Sequence, residues 1–163
     1  ILQDAFLFSG DIKENITLGE DYAIEQVVEA AELMNVDRFI QDLPEAYATQ
    51  VRERGTNLSG GQKQLLAFAR AAIRDPRILI LDEATSAVDT ETEEAILNNL
   101  YEICKDKTTI IVSHRVSSAK NADQIIILED GKIIEKGTHN ELIEQNGYYK
   151  ELYVKQLSEK EIS

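Results

Sequence analysis

Three stretches of the chain combine residue types that handle phosphate and water. The first is Leu58-Ser59-Gly60-Gly61-Gln62, standing at the start of a strongly helical segment, Lys63 to Arg74. Ser59 can cap that helix while Gln62 reaches back from its third position, and the two glycines let another backbone or a ligand approach closely. A helix amino terminus with free N–H groups attracts phosphate oxygens, and the Ser59 hydroxyl offers one more donor. The same residues also suit a plain capped turn. The second stretch is Ile78-Leu79-Ile80-Leu81-Asp82-Glu83, an apolar strand ending in two carboxylates. Asp82 at a strand's carboxyl end can hold Mg2+ directly or through water, and Glu83 beside it can orient and deprotonate an attacking water. An Asp-Glu pair after a strand serves equally as a solvated helix start. The third is His114, directly after the strand Thr108 to Ser113. It is expected at the same carboxyl edge of the sheet, where open α/β sheets bind ligands and where an imidazole can meet a γ-phosphate. A structural histidine at a strand end is the alternative. Asp89, closing Ser86-Ala87-Val88-Asp89, either caps a helix beginning near Thr90 or bridges to a second subunit.

Elements must exist to position these groups, and composition allows them. The chain has 163 residues, 43% of them hydrophobic and 29% charged, within the range of one globular domain. Thirty acidic against 17 basic side chains leave a net charge of −13, which repels a phosphate backbone and argues against nucleic-acid binding. The longest apolar runs, such as Ile78 to Leu81 and Ile125 to Leu128, fall far short of the roughly 20 residues that cross a bilayer. A single cysteine, Cys104, permits no internal disulfide and fits a reducing, intracellular setting. Between Asp11 and about Asp75 the apolar residues recur at helical spacing: Ala23, Ile24, Val27, Val28, Ala31 and Met34, then Phe39, Ile40 and Leu43. From Arg77 onward, β-branched runs alternate with helical segments, which predicts a parallel α/β sheet. Ile78 to Leu81 and Thr109 to Val112 are continuously apolar and predict strands buried on both faces. Gln124 to Leu128 and Lys132 to Glu135, separated by Glu129-Asp130-Gly131, predict a hairpin at an antiparallel edge. Thr138-His139-Asn140-Glu141 has capping-box spacing, so a helix is expected from His139 to about Gln145, and a last one from Tyr148 to about Gln156. His139 is expected at the surface, with Tyr148, Tyr149 and Tyr153 packing the final helix.

In this order and spacing, Leu58 to Gln62, Ile78 to Glu83, Ser86 to Asp89 and His114 resemble the signature, Walker B, D-loop and H-loop of an ABC transporter ATPase domain. Gln3, followed by Phe6-Leu7-Phe8-Ser9-Gly10 and Ile12-Lys13-Glu14-Asn15-Ile16, resembles the Q-loop of exporter-type members and its sequel. Thr49-Gln50-Val51-Arg52-Glu53-Arg54-Gly55 resembles the exporter X-loop, departing from the common Thr-Glu-Val-Gly-Glu-Arg-Gly form at Gln50 and Arg52. The resemblance implies an α/β fold, a partial P-loop NTPase (RecA-like) parallel sheet with an ABC α-helical subdomain. Residues 1–75 would carry the Q-loop and helical signature subdomain, and residues 76–163 the catalytic α/β subdomain. ATP and Mg2+ are the implied cofactors. Glu83, His114 and Gln3 take catalytic roles, with Asp82 and Gln3 toward the metal. Ser59, Gly61 and Gln62 face the ATP of the opposite subunit, and Gly60 and Asp89 complete the nucleotide-binding set. The implied partners are a second ATPase domain, in a homo- or heterodimer, and the coupling helices of a transmembrane domain, met through Gln3 and residues 49–55. The implied place is the cytoplasmic face of a bacterial inner or plasma membrane, and the implied work is that of an exporter's motor domain.

Two other readings use the same motifs. A DNA-repair or chromosome-maintenance ATPase split by a coiled coil also carries signature and Walker B late in its chain, but it calls for heptads and a basic face that are lacking here. A non-enzymatic module could instead dock on a partner's ATP through Ser59 and Gly61. No Gly-x-x-x-x-Gly-Lys followed by Ser or Thr occurs in the 163 residues. In the family that phosphate-cradling loop lies upstream of the Q-loop, so the chain, which opens on Ile-Leu-Gln without an initiator Met, reads as the carboxyl-terminal portion of such a domain. An uncovered sheet edge or face, and with it self-association, is expected of that portion. A general base contributes roughly 10²- to 10⁴-fold in rate only when the substrate is already held. The 163-residue chain by itself is therefore expected to show negligible ATPase activity and weak nucleotide affinity. Calorimetric titration with Mg-ATP checks this, and micromolar binding by the isolated monomer overturns it.

Overall fold

The computed structural model describes residues 1, 5–83, 104 and 107–161. Gln3, Ser86 to Asp89 and the helix expected from about Thr90 to Ile103 lie outside the described residues. The chain forms two compact units, Ile1–Val112 and Ser113–Ser163.

The first unit runs through β1 (Gly10–Asp11), α1 (Ile12–Thr17), α2 (Ile24–Leu33), α3 (Asp37–Gln41), a 3-10 turn at Ala46–Ala48, β2 (Gln50–Val51), a second at Glu53–Gly55, and α4 (Gly60–Ala72). It closes on β3 (Ile78–Asp82) and β4 (Thr108–Val112). Helices dominate up to β3, as the apolar spacing predicts. Asp11 starts α1 by a reciprocal cap: its Oδ1 accepts from Glu14 N at 2.7 Å, and Glu14 Oε2 accepts from Asp11 N at 3.0 Å. Ile12 and Ile16 of α1, Val27 and Ala31 of α2, and Leu66, Phe68 and Ala69 of α4 meet Leu79 and Leu81 of β3 in one core. Each fully buried large apolar side chain there contributes on the order of 1.5–3 kcal/mol. Cys104 packs against the same core as a small, half-buried apolar group.

Arg70 of α4 and Arg74, two residues past that helix, secure α1 at its other end, where its own last turn holds no basic residue. Arg70 Nε donates to Asn15 O at 2.9 Å, Arg74 Nη1 to Ile16 O at 3.1 Å and Arg74 Nη2 to Thr17 O at 2.5 Å. A cation at a helix carboxyl end satisfies carbonyls that lack partners and opposes the negative end of the dipole. Arg70 also reaches back to Phe6 O at 3.0 Å. Burial and the neighbouring Arg74 charge lower the Arg70 pKa, yet a guanidinium remains charged. Inside α1, Asn15 is 1% exposed and holds the preceding loop: its Oδ1 accepts from Phe8 N at 2.9 Å, and its Nδ2 donates to Phe8 O and Asp11 O, both at 3.0 Å.

Strands β3 and β4 pair in parallel, in register from Ile78↔Thr108 to Asp82↔Val112. The expectation of burial on both faces is corrected. Leu79 and Leu81 turn into the core, whereas Ile78, Ile80, Ile110 and Val112 stand exposed, with Ile78 at 62%. Side chains of a strand alternate between faces, so the core under α4 covers one face of the pair, and among the described residues the other apolar face is exposed.

The second unit contains α5 (Val116–Ala119), β5 (Ile125–Glu129), β6 (Lys132–Gly137), α6 (His139–Gln145) and α7 (Tyr148–Glu161). β5 and β6 form the expected hairpin as a separate two-stranded ladder. Asp130 and Gly131 both have positive φ, at 49° and 75°, the requirement of the tight turn whose twist matches the strands. Thr138 starts α6 with the expected box, Glu141 Oε2 accepting from Thr138 N at 2.8 Å. Glu135 caps α7 from β6, its Oε2 accepting from Tyr149 N at 3.0 Å. The helix extends past the expected end near Gln156. His139 is half-buried rather than free at the surface, because its Nδ1 bonds Tyr149 Oη at 2.8 Å and its ring meets Tyr153 edge-on. Among the described residues no helix is long and apolar enough to cross a membrane.

Replacing Arg70 by alanine strands the carbonyls of Asn15 and Phe6 together. Urea unfolding is expected to show a loss of about 2 kcal/mol, the scale of hydrogen bonds to a charged group. Arg70→Lys, which keeps the charge without the fork, is expected to recover only part of it.

Candidate functional site

The turn before α4 folds as its residue types dictate. Ser59 is the N-cap with φ −69° and ψ 162°; its Oγ accepts from Gln62 N at 3.2 Å, and Gln62 Oε1 accepts from Ser59 N at 2.9 Å. Neither Gly60 nor Gly61 has positive φ, so the backbone there makes no demand for glycine. Glycine is a weaker helix former than alanine, and what the two leave at the helix start is a pair of main-chain N–H groups with no side chain over them. Ser59 and Gly60 are exposed, with Gly61 and Gln62 half-exposed. The carboxyl half of the same helix carries Arg70, which with Arg74 just beyond the helix holds α1.

The stretch 49–55 is fastened to this turn and to the loop before α1. β1 pairs antiparallel with β2, Gly10 opposite Val51 and Asp11 opposite Gln50. Asn57, two residues before Ser59, accepts from Arg52 N at 2.9 Å and donates to Gln50 O at 2.9 Å. Arg54 and Gly55 both take left-handed conformations, φ 58° and 63°. A Cβ on Gly55 would stand 2.9 Å from Leu7 Cδ1, so a side chain there would meet both an unfavourable backbone and the buried Leu7.

The carboxylates end β3 as expected. Asp82 is exposed, and Glu83 is half-buried. Glu83 carries φ 45°, a left-handed backbone that a non-glycine residue adopts at a cost of order 1 kcal/mol or more. Its N–H donates to Val112 O at 2.9 Å, which continues the β3–β4 ladder one step beyond Asp82. The other edge of β3 is lined by Ile1, which donates to Ile80 O and accepts from Asp82 N at 2.9 Å. The chain thus runs beside Asp82 two residues before Gln3.

His114 belongs to the second unit, exposed, in the stretch between β4 and α5. Its carbonyl accepts from Gln156 Nε2 at 2.7 Å, and Ser113 Oγ accepts from Arg115 N at 2.9 Å. The structure therefore brings Ser59 to Gln62 and Asp82-Glu83 onto one core, and describes His114 within its own unit. Gln3 and Asp89 lie outside the described residues.

An ABC transporter family model matches residues 1–86, more than half of the chain. The chain belongs to the ABC transporter family. Among curated relatives, the ABC transporter ATP-binding protein YknU of Bacillus subtilis (strain 168) is 52% identical over 154 residues, 94% of this chain and 26% of that protein. A putative multidrug export ATP-binding/permease protein of Staphylococcus aureus (strain NCTC 8325 / PS 47) is 53% identical over 94% of this chain and 27% of its own length. A solved bacterial Atm1-family ABC exporter with ATP bound aligns with TM-score 0.90 at 40% identity, covering 95% of this chain and 28% of that one. The chain thus spans about a quarter of the length of the ABC relatives it matches, and its fold is that of part of an ABC nucleotide-binding domain.

The Ser59–Gln62 cap and the strand that ends at Asp82 form where the sequence places them. Sequence reasoning missed Asn57, Gln156 and the strained backbone at Glu83. Only Gln156 left a trace, falling on the same helical face as Tyr149, Leu152 and Tyr153. Ser59→Ala is expected to cost about 1 kcal/mol in thermal or urea unfolding, whereas Ser59→Gly, which also lacks the hydroxyl but leaves the helix end open to solvent, is expected to cost only a few tenths.

Proposed function

We propose that the chain is the later portion of the ATP-hydrolysing motor domain of an ABC exporter, coupling ATP binding and hydrolysis to transport across a membrane. The observation that carries this reading is that the open Gly60-Gly61 helix start and the Asp82-Glu83 strand end are built on one core, through Leu66 and Phe68 on one side and Leu79 and Leu81 on the other. Family membership supports it, as do relatives described as ATP-binding/permease proteins.

Mg2+ needs only one or two carboxylates, its remaining ligands coming from water and phosphate. The exposed Asp82 at the end of β3 suits that demand, and among the described residues no group of three or more His, Cys, Asp and Glu side chains forms a competing metal cage. Asp82 would hold the ion, with Gln3 as a further ligand, and the bound ion would offset phosphate charge. Glu83 takes a proton from the attacking water, from a left-handed backbone position one residue past the end of β3. His114 contacts the γ-phosphate. Ser59, Gly60, Gly61 and Gln62, with Asp89, bind the nucleotide held by a second ATPase domain. The Gly-x-x-x-x-Gly-Lys phosphate cradle is absent from the 163 residues and belongs, in this reading, to the rest of a protein about four times as long.

The stretch 49–55 and Gln3 receive the coupling helices of the membrane-embedded part. Its ties to β1 and, through Asn57, to the turn before Ser59 support a mechanical path from that contact to the signature helix. The motor works on the cytoplasmic face of a bacterial membrane, without nucleic acid as partner. The divisions 1–75 and 76–163 are kept as divisions of labour, signature against catalytic carboxylates. In the full-length protein, Glu83→Gln is expected to lower phosphate release by about 10²-fold or more while Mg-ATP binding persists. Hydrolysis at an undiminished rate would sink the assignment of Glu83 as base.

A further inference from the structure

We propose that Gln156 is a positioning residue for His114, holding the backbone from which the imidazole projects toward nucleotide; the proposal rests on the ATPase reading above. The Gln156 side-chain amide spans the turn on which His114 sits. Its Nε2 donates to His114 O at 2.7 Å, and its Oε1 accepts from Val116 N at 2.8 Å. A primary amide that gives to one carbonyl and takes from the N–H two residues later does for that stretch what an adjoining strand does for a pleated backbone. It restrains the peptide planes on both sides of Arg115, and so the direction of the His114 Cα–Cβ bond on which the imidazole rotamers depend. Ser113 Oγ, accepting from Arg115 N at 2.9 Å, fastens the same turn from within.

The need for an outside partner is visible at α5. Val116 is its first residue, and Arg115 before it makes no side-chain cap. The N–H of Val116 is one of the donors that a helix start leaves without an internal acceptor, and Gln156 supplies that acceptor. Val116 itself is 6% exposed, so water is a poor substitute.

α7 is built to deliver the amide to that place. Tyr149, Leu152, Tyr153 and Gln156 recur at helical spacing on one face. Tyr149 is 1% exposed in the core that contains Val116, and Leu152 and Tyr153 pack against that core. Glu135 caps the helix start, and His139 bonds the Tyr149 hydroxyl. Three apolar contacts therefore fix the rotation of α7, and the next position on the same face carries a polar group where an aliphatic one would satisfy neither His114 O nor Val116 N. In this role Gln156 acts on the reaction through His114 and needs no contact with nucleotide. Misplacement of a reacting group by about 1 Å costs up to about 10²-fold in rate.

The test is Mg-ATP hydrolysis by the full-length protein. Gln156→Ala is expected to lower kcat about tenfold with KM for Mg-ATP held within about twofold, and the double variant with His114→Ala to be no slower than His114→Ala alone. A wild-type kcat for Gln156→Ala overturns the proposal. So does a double variant whose loss equals the product of the two single losses, since that means Gln156 acts apart from His114. Should Gln156→Ala fail to fold, Gln156→Glu keeps the acceptor for Val116 N and removes the donor to His114 O, and the same kcat loss and the same non-additivity are expected of it. Failure of both variants to fold assigns Gln156 to stability alone and overturns the proposal. A wild-type protein that hydrolyses no Mg-ATP overturns the ATPase reading and this one with it; an active wild type with additive losses overturns only the role of Gln156.

Discussion

Helix α4 must satisfy three demands at once, and the first unit is arranged around that constraint. Its middle buries Leu66, Phe68 and Ala69 against α1, α2 and the underside of β3. Its start leaves the N–H groups of Gly60 and Gly61 uncovered beyond the Ser59 cap. Its last turn and the residues just past it send Arg70 and Arg74 across to the carbonyls of α1. A helix held by apolar contact alone can slide or rotate by small amounts, whereas directional bonds from guanidinium groups to main-chain carbonyls oppose both. The exposed glycine end is thus presented from a body whose other end is locked.

That arrangement explains why a weak helix start is tolerated. Two glycines in the first turn lower the intrinsic stability of α4, and the reciprocal Ser59–Gln62 bonds recover only part of it. Burial further along supplies the remainder, so the open end can be kept free for a ligand. Glu83 follows the same logic on the neighbouring element. Its left-handed backbone is unfavourable for glutamate, and it persists because the β3–β4 ladder continues through its N–H to Val112 O while Leu79 and Leu81 anchor the strand behind it. In both places a rigid core tolerates a local cost where the chemistry is proposed to occur.

The parallel pair shows the limit of reading strands from composition. Ile78 to Leu81 and Thr109 to Val112 are apolar on both faces, a pattern that predicts burial on both sides. Only one face is covered, because α4 and its neighbours lie on one side and four branched side chains on the other meet no packing layer among the described residues. An apolar run records what a strand can accept on each face. Whether a layer is there depends on elements elsewhere in the chain.

What the sequence determined by itself was local: the caps of α4 and α6, the Asp130-Gly131 turn, and the make-up of each short motif that resembles an ABC domain. Each depends on residues within a few positions of one another, where side-chain reach and φ/ψ preference decide the outcome. The tertiary structure alone decided which distant groups serve as partners. Arg70 to Asn15 O, Asn57 to the 50–52 stretch and Gln156 to His114 are bonds between side chains and main-chain atoms. Main-chain atoms are chemically alike at every residue, so no pattern of residue types can announce which carbonyl an amide or guanidinium will meet. That choice is made only when packed helices bring one carbonyl within about 3 Å and exclude the rest.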